Sequence, residues 1–230
     1  MQTIVALAPE TPGRHGEVLL RLQEDDGSLI LPGVFMLSAE RFNLAPRIDV
    51  SVLRRTIETL ASRADRAEFA LISVDLSGRS VGDRMFHRHV LDLLRAAGPD
   101  ICSRLMLEVT KTAAVTSIAD ATVFVEQIHE LGVKVALDDF GAGATSFGYL
   151  RSLKADFLKI DGQFIQGLLS DEVSQVTVRC FVEIAKVLGI ATVAEFVDQP
   201  ALLEQVRAQG IDFAQGFLLG MPEPFVGGTA

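Results

Sequence analysis

The chain has 230 residues, 49% of them hydrophobic, and a formal net charge of −9 with a pI near 4.9. That length suits one α/β barrel, and the acidic balance excludes the broad positive footprint that binding duplex nucleic acid requires. No apolar run reaches the ~18 residues needed to span a bilayer, and the first residues lack the pattern of a signal peptide, so a soluble cytoplasmic protein is expected.

Strand-length apolar runs fall at Thr3–Leu7, Glu17–Leu22, Ala70–Leu76, Leu105–Thr110, Lys134–Asp138, Phe157–Ile160, Thr192–Phe196 and Asp212–Phe217. Helical patterns lie between them at Val50–Leu60, Met85–Ala97, from Ile118 to Gly132, from Asp171 to Gly189, and at Ala201–Ala208. Ser117 with Asp120 resembles a capping box, and Val173, Val176, Cys180, Ile184, Val187 and Leu188 form one apolar stripe on the fourth of these helices. About eight strands alternating with helices predict a modified (β/α)8 barrel of residues 1–226, followed by a flexible tail at 227–230. The first connection, Ala8–Gly16, is too short for a crossover helix. It predicts a hairpin whose second strand runs against all the others and begins with Glu17.

Side chains that do chemistry in a barrel sit at the C-terminal ends of its strands. Those positions hold Glu17, Asp75, Glu108, Asp138 with Asp139, Lys159 with Asp161, Glu195 and Gln215. Six or more carboxylates on one rim repel one another unless cations accompany them. Oxygen-only donors suit Mg²⁺ or Mn²⁺, and the adjacent aspartates suit two ions of the kind used for in-line phosphoryl displacement. Lys159 adds a positive charge suited to stabilising developing negative charge. The residues therefore read as a phosphate-ester site.

Glu17-Val18-Leu19-Leu20-Arg21 resembles the signature of the EAL family, with Val in place of Ala. Asp75-Leu76-Ser77, Leu107-Glu108-Val109-Thr110, Asp138-Asp139-Phe140-Gly141, Leu158-Lys159-Ile160-Asp161, Val193-Ala194-Glu195-Phe196-Val197 and Gln215-Gly216-Phe217 follow in the family's order. The resemblance implies a barrel that linearises cyclic di-GMP to pGpG with Mg²⁺ or Mn²⁺. It implies that Glu17, Asp75, Glu108 and Asp138 hold one metal and that Asp138 bridges to a second, held also by Asp139. Glu195 would support the second metal and its water, or act as general base; Lys159 would orient the nucleophile and Gln215 lie near the reacting phosphate. Arg21, Leu19 and Pro222 would contact the ligand, with Asp161 and Asp198 also on the binding side.

The departures are Asp75 where the family has Asn, Lys111 where it has a second Glu, Asp198 for Glu, and Ala144 in the loop that Gly141 and Ser146 belong to. Lysine has no acceptor with which to anchor that loop. A slow phosphodiesterase is expected, and the alternative is an inactive EAL domain that acts as a cyclic di-GMP receptor. The resemblance also implies a domain from a longer signalling protein with sensory or GGDEF modules, and a homodimer. His87 and His89 lie two apart on a helix, share no face, and are not read as ligands. Arg54-Arg55 is read as a solvated pair.

Overall fold

Each barrel strand is apolar on both sides because one side packs against helices and the other fills the barrel. In the computed structural model the residues described are 1–8, 13–62, 69–110, 118–141 and 147–225. Lys111, Ser117, Ala144, Ser146 and the tail 227–230 lie outside them. The first strands are β1 (Gln2–Ala6) and β2 (Arg14–Val18), followed by a small hairpin of β3 (Leu22–Gln23) and β4 (Leu29–Ile30). Then come α1 (Pro32–Arg41), α2 (Ala45–Ser62), β5 (Phe69–Leu76), α3 (Gly78–Val81), α4 (Arg84–Ala97), α5 (Pro99–Cys102) and β6 (Leu105–Thr110). The second half holds α6 (Ile118–Glu130), β7 (Lys134–Phe140), α7 (Phe147–Leu153), β8 (Phe157–Ile160) and α8 (Gly162–Gly167). It ends with α9 (Glu172–Leu188), β9 (Ala191–Ala194), α10 (Pro200–Ala208) and β10 (Phe213–Gln215).

Eight strands close in the order β1-β10-β9-β8-β7-β6-β5-β2. The hairpin exists, but its reversed member is β1 and not β2. β2 pairs in parallel with β5, Glu17 opposite Ser73, whereas β1 pairs antiparallel with both β2 and β10. A short connection dictates only that its two strands oppose each other; their outer neighbours decide which one is reversed. Glu17 therefore reaches the C-terminal face because it lies near the end of β2. The strand itself sits upstream of the expected Glu17–Leu22, since Arg14–Gly16 enter the ladder.

Residues two apart on a strand share a side. An inward layer of Leu71, Met106, Ala136, Phe157, Val193 and Phe213 packs in two small apolar clusters with Ile4. Two residues further along the same strands come Ser73, Glu108, Asp138, Lys159, Glu195 and Gln215. The apolar plug is thus the floor on which the polar ring stands. The larger core lies outside the strands, against the helices, and includes Leu53, Leu60, Val74, Leu107, Phe124 and Leu158.

The boundaries of α9 agree with its sequence signals: Asp171 accepts from the Val173 and Ser174 amides, and Gly189 closes the helix at φ +71°. Its expected stripe is corrected. The buried face is Ser174, Val178, Phe181, Val182 and Ala185, while Val173, Val176, Cys180 and Val187 are exposed. Two apolar rows run along this helix, and the row carrying Phe181 has Phe140 and Phe164 to pack against. α1, α7, α8 and the β3–β4 hairpin had no sequence prediction. Asp120, expected in a capping box, pairs with Arg84 at 2.8 Å.

Candidate metal and ligand site

Lys159 is the centre of the site. Its side chain is 1% exposed, and its Nζ lies 2.5 Å from Glu108 Oε2, 3.0 Å from Glu195 Oε1 and 3.2 Å from both Glu17 Oε2 and Asp138 Oδ1. Burial alone would favour the neutral amine; the Glu108, Asp138, Glu17 and Glu195 carboxylates outweigh it and hold the pKa well above its ordinary value. Gln215 reaches in from β10, and its amide nitrogen donates to Glu17 Oε2 at 2.7 Å and to Gln2 Oε1 at 3.3 Å. The remaining side-chain amide of Gln2 donates to the Gly220 carbonyl at 3.0 Å, tying β1 to the segment after β10.

One lysine does not neutralise this many acids, so protons remain. Burial pushes Glu108 up to about 7, with the Lys159 charge opposing, and pushes Glu195 up to about 8. Asp75 is raised well above the usual carboxylate range by desolvation in the mouth and by the Glu108 and Glu17 charges, although part of its surface stays open. Asp139 is raised too, by desolvation and by Asp138 beside it.

The acids fall into two groups. Glu17, Asp75 and Glu108 bring one oxygen each within 4.8 Å of one another, and Asp138, Asp139 and Glu195 do the same. Glu108 Oε1 is buried without a hydrogen-bond partner, and Asp138 Oδ1 is buried with only the Lys159 ammonium at 3.2 Å beside it. An all-oxygen donor set with an under-satisfied buried oxygen in each group fits hard divalent ions, one per group. Adjacent strand residues normally face opposite sides; Asp139 adopts φ +53° where the pairing of β7 with β8 is irregular, and its carboxylate stays in the same group as that of Asp138.

Leu19, Arg21 and Pro222 come together on the wall of one cavity of about 610 Å³, shared with Ile48 and Val52 of α2 and with Phe225. The Arg21 guanidinium donates to the Leu20 carbonyl at 2.7 Å. Asp161 lies on the rim and caps α8, accepting from the Gln163 amide at 2.8 Å. Asp198 is exposed on the turn after β9. Gly141 has φ +107°, and a Cβ there would collide with the Phe164 ring, so glycine is required after the aspartate pair. His87 is a core residue, bonded to the Val81 carbonyl at 2.8 Å and stacked on Phe124, and the His89, Arg54 and Arg55 side chains are at the surface.

Asp49 was missed. It lies on the buried row Ala45, Asp49, Leu53, Thr56 and Leu60 of α2, and its Oδ2 accepts from the Ser77 amide at 2.8 Å and the Ser80 hydroxyl at 2.5 Å. That pins the turn two residues beyond Asp75. An acid at i+4 in an apolar helical row was the signal. Gln2 was missed because nothing on the reversed strand marks it, and Phe196 because its positive φ is not written in the residue type.

The fold and site define a closed α/β barrel with a carboxylate-rich mouth whose two acidic groups could hold metal ions. The chain belongs to the EAL domain family, whose model matches residues 2–222. It is 35% identical over 224 residues to the cyclic di-GMP phosphodiesterase PdeB of Shewanella oneidensis, covering 97% of this chain and 26% of that protein. The PaMucR phosphodiesterase in its c-di-GMP complex superposes with a TM-score of 0.84 at 34% identity, over 97% of this chain and 90% of that one. The FimX EAL domain of Xanthomonas citri in complex with c-diGMP gives 0.86 at 26% identity, over 98% and 87%. The chain spans only about a quarter to a third of the curated relatives it matches. Among the described residues no helix is long and apolar enough to cross a membrane.

Proposed function

We propose that this domain binds cyclic di-GMP and hydrolyses it slowly to pGpG with two Mg²⁺ or Mn²⁺ ions. The observation that carries the reading is the pair of three-carboxylate groups flanking the Lys159 ammonium. Glu17, Asp75 and Glu108 would hold one ion, and Asp138, Asp139 and Glu195 the other, with Asp138 shared. Bound there, the ions supply Lewis acidity to the phosphoryl oxygens and make water a better nucleophile near neutral pH. Glu195 would support the second ion and its water, or act as the general base that takes the proton of that water. A P–O bond forms to that water, the P–O bond to the ribose 3′ oxygen breaks, and the leaving oxygen takes up a proton. Lys159 orients the nucleophile and stabilises charge developing on the phosphate. Gln215 holds Glu17 in place while facing the same phosphate.

On the ligand side, Arg21, Leu19 and Pro222 contact a nucleotide through the wall they share, with Asp161 and Asp198 at the rim. Gly141 and Ser146 belong to the loop after the aspartate pair, and Lys111, which has no acceptor to anchor it, is the change that slows turnover. A location in the cytoplasm, attachment to sensory or GGDEF modules, and a homodimer belong to the same proposal. The exposed row Val173, Val176 and Val187 on α9 supports self-association, and a strictly monomeric sedimentation profile with and without ligand would remove it.

A second reading, a receptor that binds without cleaving, is favoured by the Lys159 ion pairs: they assemble the acids without metal, so an intact pocket does not require turnover. Incubation with cyclic di-GMP and Mg²⁺ or Mn²⁺, followed by chromatography, separates the two. Chelator-sensitive pGpG is expected. Binding without product in the same buffer establishes the receptor.

A further inference from the structure

Four described residues other than glycine have a left-handed backbone: Asn43, Asp139, Lys154 and Phe196. Asn43 lies just past the C-cap of α1 and Lys154 follows the last residue of α7, where such a turn is ordinary. Asp139 and Phe196 lie in the site. For a bulky aromatic residue φ +56° is costly, and such costs persist where the surrounding structure fixes them for use. Core packing does not explain Phe196, because it is 63% exposed.

What holds it is visible. The neighbouring Val197 is buried, its amide donating to the Gln215 carbonyl at 2.9 Å and its carbonyl accepting from the Leu218 amide at 3.2 Å. The Phe196 ring lies against Gly162, the first residue of α8; a Cβ on Gly162 would collide with the ring carbons Cδ2 and Cγ. Glycine at 162 is thus the space the ring occupies, and the rest of the ring is open at the rim between the ends of β8 and β9. Those two strands deliver Lys159 and Glu195, which meet at 3.0 Å. Phe196 directly follows Glu195 in the chain, so its exposed ring is displayed at the same end of the barrel as the acidic groups.

We propose that Phe196 is a stacking platform for a purine base of the bound dinucleotide, and so a specificity-determining residue of this site. The inference rests on the reading of the site given above. A purine offers the flat face that matches an exposed ring, while its phosphate is taken by the neighbouring ion-binding groups. Stacking of this kind changes base affinity roughly ten-fold or more when the ring is removed.

The chain contains no tryptophan, which makes the test direct. Phe196→Trp introduces a single indole, and its fluorescence is expected to be quenched by cyclic di-GMP but not by inorganic phosphate. Phe196→Gly, which suits the backbone conformation, is expected to weaken cyclic di-GMP binding about ten-fold or more by calorimetry while Mn²⁺ affinity stays the same. Phe196→Tyr restores binding. Cyclic di-GMP affinity within two-fold of the parent in Phe196→Gly, or no quenching in Phe196→Trp, overturns the platform. A parallel loss of Mn²⁺ affinity also overturns it, since Phe196 would then only position Glu195. A parent chain that binds Mn²⁺ but no cyclic di-GMP overturns the ligand reading itself.

Discussion

Lys159 and the acids around it form a balance that two simple measurements probe. Lys159→Met leaves Glu17, Glu108, Asp138 and Glu195 without their shared cation, and removing one partner from a buried ion pair costs about 3–5 kcal/mol. Urea melts of the metal-free variant should show a loss of that order, partly restored by Mn²⁺; an unchanged midpoint would mean that the acids are already protonated. The pH dependence has a definite sign. Glu108 and Glu195, raised from 4.5 to about 7 and about 8, retain protons in the folded state that the unfolded chain has released, and Asp75 and Asp139 shift the same way. Stability without metal should therefore fall as pH rises from about 4.5 to about 8. His87 and the Met1 amino group, whose burial lowers their pKa values, oppose this. Divalent ions take only the deprotonated carboxylates, so Mn²⁺ affinity should rise across the same interval. Calorimetric Mn²⁺ titrations at pH 6 and pH 8 that give equal affinities would contradict the assignment.

Among the elements, α9 separates burial from hydrophobicity. Val176→Ala, at a 62% exposed position, should change stability by no more than about 0.5 kcal/mol. Val178→Ala, fully buried on the opposite row, should cost about 1–3 kcal/mol in the same denaturant assay. Equal effects would mean that the outer row is covered in solution. The turn between β5 and α3 depends on another helix. Asp49→Ala removes an acceptor from the Ser77 amide and the Ser80 hydroxyl, and unpaired buried donors cost about 1–3 kcal/mol. Because that turn follows Asp75, the variant should also bind Mn²⁺ more weakly. A stability loss with full Mn²⁺ affinity would confine Asp49 to the fold.

For the whole molecule, closure of the barrel brings residues 2, 17, 108, 159 and 215 into one hydrogen-bonded set. The site therefore exists only when the first and last strands have paired. Ions that bind the folded state alone stabilise it, by about 2.7 kcal/mol at a hundred times the dissociation constant. Saturating Mn²⁺ should raise the melting temperature by several degrees and chelator should reverse it. An unaffected melt, with Mn²⁺ bound, would show that the acids persist in a partly unfolded state.

Much of this was legible in the residues because local chemistry wrote it. Strand and helix alternation followed from apolar periodicity, Asp171 and Gly189 marked the ends of α9 by capping and by backbone freedom, and the motifs from Glu17 to Gln215 gave the acids, the lysine and the family. Tertiary structure alone decided what depends on neighbours distant in the chain. Which strand of the first hairpin is reversed was set by its pairing with β5 and β10. Which of two apolar rows of α9 is buried was set by Phe140 and Phe164. That Asp49 supports the turn after Asp75, that Gln2 holds Gln215, and that Phe196 is displayed over Gly162 follow from barrel closure, because only then do these groups come within bonding distance. The sequence by itself determined which groups are available to the chemistry; the closed barrel determined which of them meet.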